Sequence, residues 1–360
     1  MTGLYFHIPF CAKKCPYCDF FSVPYHKETT SQYVASIIRN LAAYAPEDTV
    51  DTVYFGGGTP SLLSAAQIGD ILNACAKYAH LSENTEITLE FNPTGERTQY
   101  LRDLRKVGIN RLSIGTQSFS DAQLSLLGRT HRAADGIRTV MTAYEQGFYN
   151  ISCDLMLACP HQSEIILSET LNTLANLPIT HVSAYLLQVE EGTPLSRNTD
   201  LLAALPDDDA SVDRYLQAVQ TLAEYGFRQY EVSSFAKSGF ESRHNMKYWK
   251  CEPFLGIGAG AHSCYGGKRF AVPKDVAAFC NSRIQPTEII DDAPCQAQEK
   301  LMLALRMTSG AALSELSVNA LKVLPRLRNA GYVTVYDDDR VSLTPKGFAV
   351  SNAVISMLLE

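Results

Sequence analysis

Residues 3–20, GLYFHIPFCAKKCPYCDF, run directly from an apolar segment into a loop carrying three cysteines. Gly3–Ile8 is aromatic and aliphatic and stops at Pro9, which reads as a short buried strand. Its exit loop sets Cys11, Cys15 and Cys18 at CxxxCxxC spacing, so three thiolates can point into one small volume. Soft thiolates select iron–sulfur clusters, zinc or copper(I). A cubane cluster normally takes four cysteines; here Asp19, Phe20 and Phe21 follow, and no fourth is near. Three thiolates on four irons leave one iron open to another ligand. The alternative is zinc completed by a distant His or Cys, although structural zinc sites usually pair two CxxC-type knuckles and the second is absent.

Working outward, similar short runs recur at Thr52–Phe55, Glu86–Phe91, Arg111–Gly115, Ile151–Leu157 and His181–Leu187. Amphipathic stretches separate them at Ser31–Tyr44, Ala65–Ala79, Gln99–Val107, Ala134–Gln146 and Glu164–Leu174. Strands alternating with helices predict parallel βα units, whose strands are covered on both faces and read as near-continuous apolar runs. Six units are too few for a closed eight-stranded barrel. The fold class is therefore α/β, an incomplete (β/α)6 TIM-type barrel with functional residues at the C-terminal ends of its strands. After a connector at 193–209, a helix at Ala210–Tyr225 and a strand at Tyr230–Phe235 complete a core over 1–235. Residues 236–295 contain the Gly-rich stretch Phe254–Gly267 and are expected to cover the barrel mouth. Residues 296–360 read as a C-terminal α+β domain ending in a winged-helix-like unit, with Val333–Leu343 as the wing and Asp337–Asp339 at its turn.

The 360 residues carry a formal charge of −7, which disfavours a phosphate backbone as partner. Residues 296–360 hold seven Lys/Arg and six Asp/Glu, so a DNA-binding use of the tail is the weaker reading and packing or docking the better one. No apolar run reaches the ~18 residues of a membrane span, and the N-terminus lacks the basic region and cleavage site of a signal peptide. A cytoplasmic protein is expected. Of the ten cysteines only the first three cluster in sequence; Cys251 and Cys264, flanking the Gly-rich stretch, are expected to be buried small hydrophobes.

The pattern HIPFCxxxCxYCDF resembles the radical SAM superfamily, specifically the subfamily of oxygen-independent coproporphyrinogen III oxidases (dehydrogenases) and their relatives, over nearly the whole chain. The resemblance implies a [4Fe-4S] cluster on Cys11, Cys15 and Cys18, with S-adenosylmethionine (SAM) chelating the open iron through its methionine amino and carboxylate groups. One-electron reduction by a donor protein then cleaves SAM to a 5′-deoxyadenosyl radical. Gly56–Pro60, GGGTP, resembles the motif for SAM's amino group, placing Gly57, Gly58 and Thr59 there; alone it is equally a tight strand-to-helix turn. Glu90 could accept hydrogen bonds from ribose hydroxyls, or be a solvated rim carboxylate. Gln117, Arg129 and Asp154 match family positions near SAM, and Tyr5 and Tyr17 match positions beside it, with Tyr17 able to stack on adenine. His262, in GIGAGAHS, is expected near SAM, and His7 is expected to be structural.

Within the subfamily the oxidase pattern is CxxxCxxCxC with an N-terminal extension. Here Phe20 stands at the fourth cysteine, and Cys11 is preceded by ten residues. Both features resemble the heme chaperone branch, known as HemW, as do HNMKYW (His244–Trp249) and GIGAGAHS. That branch implies heme as cargo and heme-acceptor proteins, such as respiratory cytochromes, as partners, with catalysis left open. For heme, His244 beside Tyr248 and Trp249 offers an aromatic lip with an axial ligand; equally, His244 and Asn245 can hydrogen-bond a loop over the barrel mouth. The alternatives are an oxygen-independent coproporphyrinogen III oxidase in porphyrin biosynthesis, and a non-catalytic regulator using the tail.

Overall fold

A computed structural model of the chain describes residues 1–95 and 97–360. Its centre is six strands, β1 (Thr2–Ile8), β2 (Thr49–Gly57), β3 (His80–Phe91), β4 (Arg111–Gln117), β5 (Asn150–Leu157) and β6 (His181–Leu186). They lie side by side in chain order, every neighbouring pair parallel. The crossovers carry α1 (Lys27–Tyr44), α2 (Ala65–Tyr78), α3 (Thr98–Val107), α4 (Asp121–Leu126), α5 (Ala133–Glu145) and α6 (Glu164–Ala175). The hydrogen-bonded order has two ends, so this is an incomplete, TIM-type α/β barrel.

The six strands are not apolar on both faces, as the runs in the sequence suggested. Leu4, Phe6 and Ile8 of β1 are fully buried, as are Val53, Phe55, Leu89, Leu112 and Ile114 on the neighbouring strands. These form one core with Tyr33, Ile37 and Leu41 of α1 and Ile68 and Ile71 of α2. Each such side chain contributes about 1.5–3 kcal/mol through burial. The alternate positions carry Tyr5, Tyr54, Glu90, Arg111, Ser113 and Asp154, which meet inside the barrel. Buried strand faces that alternate apolar and polar are what a ligand chamber needs.

Two strands flank β6 on one side: after α7 (Thr199–Ala203) and α8 (Asp208–Glu224) come β7 (Arg228–Gln229) and β8 (Ser234–Ala236), both antiparallel. The single strand expected over Tyr230–Phe235 is thus broken, because Glu231 bridges instead to Met307. On the other side, β9 (Phe254–Ile257) pairs parallel with β1, and β10 (His262–Tyr265), β11 (Lys268–Ala271) and β12 (Glu288–Asp291) continue antiparallel. Much of 236–295 is therefore woven into the sheet.

α9 (Arg243–Trp249) lies at the strands' N-terminal ends rather than over the mouth. Its first amides, those of Arg243 and His244, donate to the Glu86 carboxylate at 3.2 and 3.1 Å, which satisfies donors left free at a helix start. Lys247, 1% exposed, reaches Asp51 of β2 at 2.8 Å. This is an ion-pair contact rather than an aligned hydrogen bond. Residues 297–360 follow as the helix Ala297–Ala304, the helix Val318–Asn329, the hairpin Val333–Val335/Arg340–Leu343 completed by Ala311–Ala312, and two closing helices, Pro345–Ala349 and Ser351–Leu359, so the unit ends in helix and not in the hairpin. No helix among the described residues is long and apolar enough to cross a membrane.

Replacing Lys247 with Met strands Asp51 in a nearly dry site with only Arg243, 3.6 Å away and half exposed, to offset it. The expected loss is about 3 kcal/mol, measured as a lower urea midpoint at unchanged slope. An unchanged midpoint would mean the pair does not hold the helix on the barrel.

Candidate functional site

The chain leaves β1 at Pro9 and doubles back, with Val23 donating its amide to the Pro9 carbonyl at 2.7 Å. Cys11, Cys15 and Cys18 sit on the intervening loop, each partly exposed. Pro16 anchors the loop: its carbonyl accepts from Leu195 at 2.9 Å, and its ring packs so tightly on Gly128 that a Cβ there would approach to 2.6 Å. The three cysteines, with Tyr17, form one wall of a cavity of about 430 Å³ at the C-terminal ends of the strands. That volume is the size of a small-cofactor site.

The opposite wall comes from strand tips at every second residue: Glu90 and Asn92 on β3 and just beyond it, Ser113, Gly115 and Gln117 on β4, Asp154 and Met156 on β5. The Gly57–Gly58 turn completes it. Gly57 has φ +110°, and a Cβ there would lie 2.7 Å from the His7 ring. One on Gly58 would lie 2.8 Å from the Phe10 carbonyl. Only glycine lets this turn press against the β1 exit loop. Both amides are engaged, Gly57 with Glu90 at 3.2 Å and Gly58 with Ile8 at 2.9 Å. The Gly58 carbonyl accepts nothing among the described residues. With both amides engaged, it is the Gly58 carbonyl that the turn leaves for a ligand in the cavity that Gly58 lines, and a carbonyl suits an ammonium group.

Glu90 accepts from the Tyr54 hydroxyl at 3.0 Å as well as from Gly57. Burial, reinforced by the nearby Asp154 carboxylate, pushes its pKa up to about 8. Asp154 accepts from Ser113 at 3.2 Å, and burial raises it to about 6. Arg129 donates to Asn92 and to the Gly115 carbonyl, both at 2.7 Å, and approaches the Cys15 sulfur at 3.6 Å. Thr59 accepts from Asn92 at 3.1 Å and lies 3.5 Å from the Cys11 sulfur. Asn92, Ser113 and Tyr54, which hold these groups, were not singled out in the sequence. For two of them the signal was there: Asn92 is two residues from Glu90 and Ser113 four from Gln117, on the same face of the same β-segment. Gln117 adopts φ +63°, a left-handed turn that ends β4 at the cavity.

Of the expected SAM residues, Tyr17, Gly57, Gly58, Thr59, Glu90, Gln117, Arg129 and Asp154 line one cavity with the three cysteines. Tyr5 lies beneath it, stacked on Tyr54 and 3.0 Å from His7. His7 bridges Tyr5 and the Phe21 carbonyl, and burial lowers its pKa to about 4, so it is a neutral structural group. His262 does not line the cavity; it starts β10 with its side chain in solvent. The expected heme lip does not form either. His244 is fully buried, with Nδ1 2.8 Å from Thr52 and Nε2 2.9 Å from Tyr248, so neither nitrogen is free for iron. With Tyr248 and Trp249 it belongs to α9, at the end of the barrel away from the cysteines. The exposed aromatic residues at this cavity are instead Phe20, 65% accessible, and Tyr185, 42% accessible, which line it together with Leu186.

The site passes the test of fit for an iron–sulfur cluster with a polar ligand. It has three thiols on one loop, a Gly-lined cradle, and buried carboxylates facing the same space. Comparison with known proteins agrees. The family model of the radical SAM superfamily matches residues 5–174. The heme chaperone HemW of Lactococcus lactis is 33% identical, the alignment covering 99% of this chain and 97% of that protein. HemW of Escherichia coli is 39% identical over 72% of this chain and 69% of its own. The coproporphyrinogen III oxidase HemN from Escherichia coli superposes with TM-score 0.83 at 21% identity, over 99% of this chain and 89% of that one. At that identity the likeness is one of fold.

Glu90 takes up its proton on folding between the ordinary carboxylate pKa near 4.5 and about 8. The folded state therefore binds more protons than the unfolded one in that window, and ligand-free stability falls as pH rises through it. Urea midpoints measured from pH 5 to 8.5 should show this decline, and Glu90→Gln should flatten it. An equally steep decline in Glu90→Gln would assign the proton elsewhere.

Proposed function

The chain belongs to the radical SAM superfamily, and from this premise and its kinship with the HemW proteins we propose that it is a cytoplasmic heme chaperone carrying a [4Fe-4S] cluster and SAM. The observation that carries the proposal is the end-to-end match to a curated heme chaperone. Phe20, standing where the oxidase pattern has a further cysteine, supports the same branch.

Cys11, Cys15 and Cys18 would hold the cluster, which when bound supplies an open iron and one electron to SAM. The protein's own groups do the rest. The Gly58 carbonyl would accept from the amino group, and the Arg129 guanidinium lies close enough to Cys15 to offset thiolate charge. Glu90 carries a proton at neutral pH and can donate to, or accept from, a ribose hydroxyl. A positively charged ligand favours the ionised forms of Glu90 and Asp154, so binding releases protons to solvent.

Heme as cargo would meet the apolar mouth at Phe20, Tyr185 and Leu186 and not α9. Acceptor proteins, among them respiratory cytochromes, would take it from that exposed edge, and a donor protein would reduce the cluster.

Two outcomes are expected. Replacing Cys11, Cys15 and Cys18 with Ala removes the iron–sulfur absorbance of the reconstituted protein; a full cluster in that variant would refute the assignment. Heme titration of the cluster-loaded protein saturates, and Phe20→Asp weakens it by about tenfold, the scale of taking one aromatic ring away from an apolar ligand, with the cluster spectrum intact. Protoporphyrinogen formed anaerobically from coproporphyrinogen III, SAM and reductant would identify an oxidase instead.

A further inference from the structure

Three cysteines far apart in sequence converge on the side of the barrel away from the cluster loop. Cys251 follows α9, Cys264 lies in β10, and Cys295 immediately precedes the helix Ala297–Ala304. Cys264 pairs with Phe254, and Phe254 with Gly3 at the start of β1, so this site is at the opposite end from Cys11. The Cys264 and Cys295 sulfurs are 3.7 Å apart. Cys251, Cys295 and Glu299 bring their ligand atoms within 4.8 Å of one another. Around them Glu299 is itself held, accepting from the Cys295 amide and from Arg269, each at 2.6 Å.

We propose that Cys251, Cys295 and Glu299 form a second metal site for a single zinc ion, with Cys264, whose sulfur already touches that of Cys295, moving in on binding as the fourth ligand of a tetrahedral S3O set. The spacing decides for one ion. At a Zn–S distance of 2.3 Å the edge of a tetrahedron is about 3.8 Å, which the Cys264–Cys295 separation matches. A cubane cluster would set its thiolates much farther apart, since each caps a different iron. A disulfide between Cys264 and Cys295 would need the sulfurs at about 2.05 Å and would leave Cys251 without a role.

Two further observations support an ion. Cys251 and Cys295 both hold left-handed backbone, φ +54° and +64°, an uncommon conformation for a residue with a Cβ, and both do so where the sulfurs meet. The charge is also partly balanced: three thiolates and a carboxylate around a dication leave −2, and Arg269 beside Glu299 brings this to −1. The hydrogen bonds to Glu299 are of the kind that orient ligating carboxylates. Because zinc binds thiolates, each cysteine thiol that ligates gives up its proton to solvent as its Zn–S bond forms. The ion would tie α9, the β9–β12 extension and the first helix of the C-terminal unit together, a structural role independent of heme or SAM.

The test uses the full chain with Cys11, Cys15 and Cys18 changed to Ser, which removes the first metal site. Grown with zinc, it should carry about one zinc per chain by elemental analysis. It should lose that zinc on the further changes Cys251→Ser and Cys295→Ser. Because those variants can misfold, Co2+ is also added to the chelator-stripped chain with its three distal cysteines intact. Thiolate-to-cobalt charge-transfer bands of a tetrahedral site are expected, and chelation should lower the melting temperature of the zinc form. Absence of stoichiometric zinc and of the cobalt bands, zinc retained without Cys251 and Cys295, or a Cys264–Cys295 disulfide in the freshly isolated protein would each overturn the proposal.

Discussion

The rest of the structure depends on one constraint: polar side chains inside a barrel must find partners within it. The outward faces of β1 to β6 are committed to the helices, so the inward faces decide what the molecule holds. A buried carboxylate without partners costs several kcal/mol. Glu90 avoids this with Tyr54 and the Gly57 amide, and Asp154 with Ser113. Their remaining cost appears as raised proton affinity, which leaves both groups poised to respond to a ligand's charge.

The two ends of the barrel meet the same constraint differently. At the C-terminal ends the chain leaves the polar face open, against a loop of three cysteines. At the N-terminal ends α9 closes it, with Lys247 on Asp51, His244 between Thr52 and Tyr248, and Glu86 on the first amides of the helix. A histidine satisfied at both nitrogens is a packing group, so α9 leaves no free imidazole nitrogen at that end of the barrel.

Sequence periodicity was a good guide where a contact is local or repeats along a strand. The six strands and the main helices lie within a few residues of their expected places. Tyr17, Gly57, Glu90, Gln117 and Arg129 reach one cavity because each lies near or beyond a parallel strand's C-terminal end, and those ends converge by topology; Asp154 joins them from the inward face within β5. The readings that went astray needed distant partners. His262 looked ligand-directed from the glycines before it, but β10 turns it to solvent. Tyr230–Phe235 looked like a strand, but Glu231 pairs with Met307.

Alone, the sequence determined the cysteine loop, the order of βα units and the branch-defining Phe20, because each is written in adjacent residues or a short period. Only the tertiary structure decided that His244 is buried, that the Gly57–Gly58 amides are engaged internally, and that Cys251, Cys264 and Cys295 meet. Those facts arise from segments apart in the chain, brought together by the pairing of β1 with its neighbouring strands and by the docking of the segments that follow α8. Such contacts are set by the packing of whole elements, and no local pattern of residues encodes them.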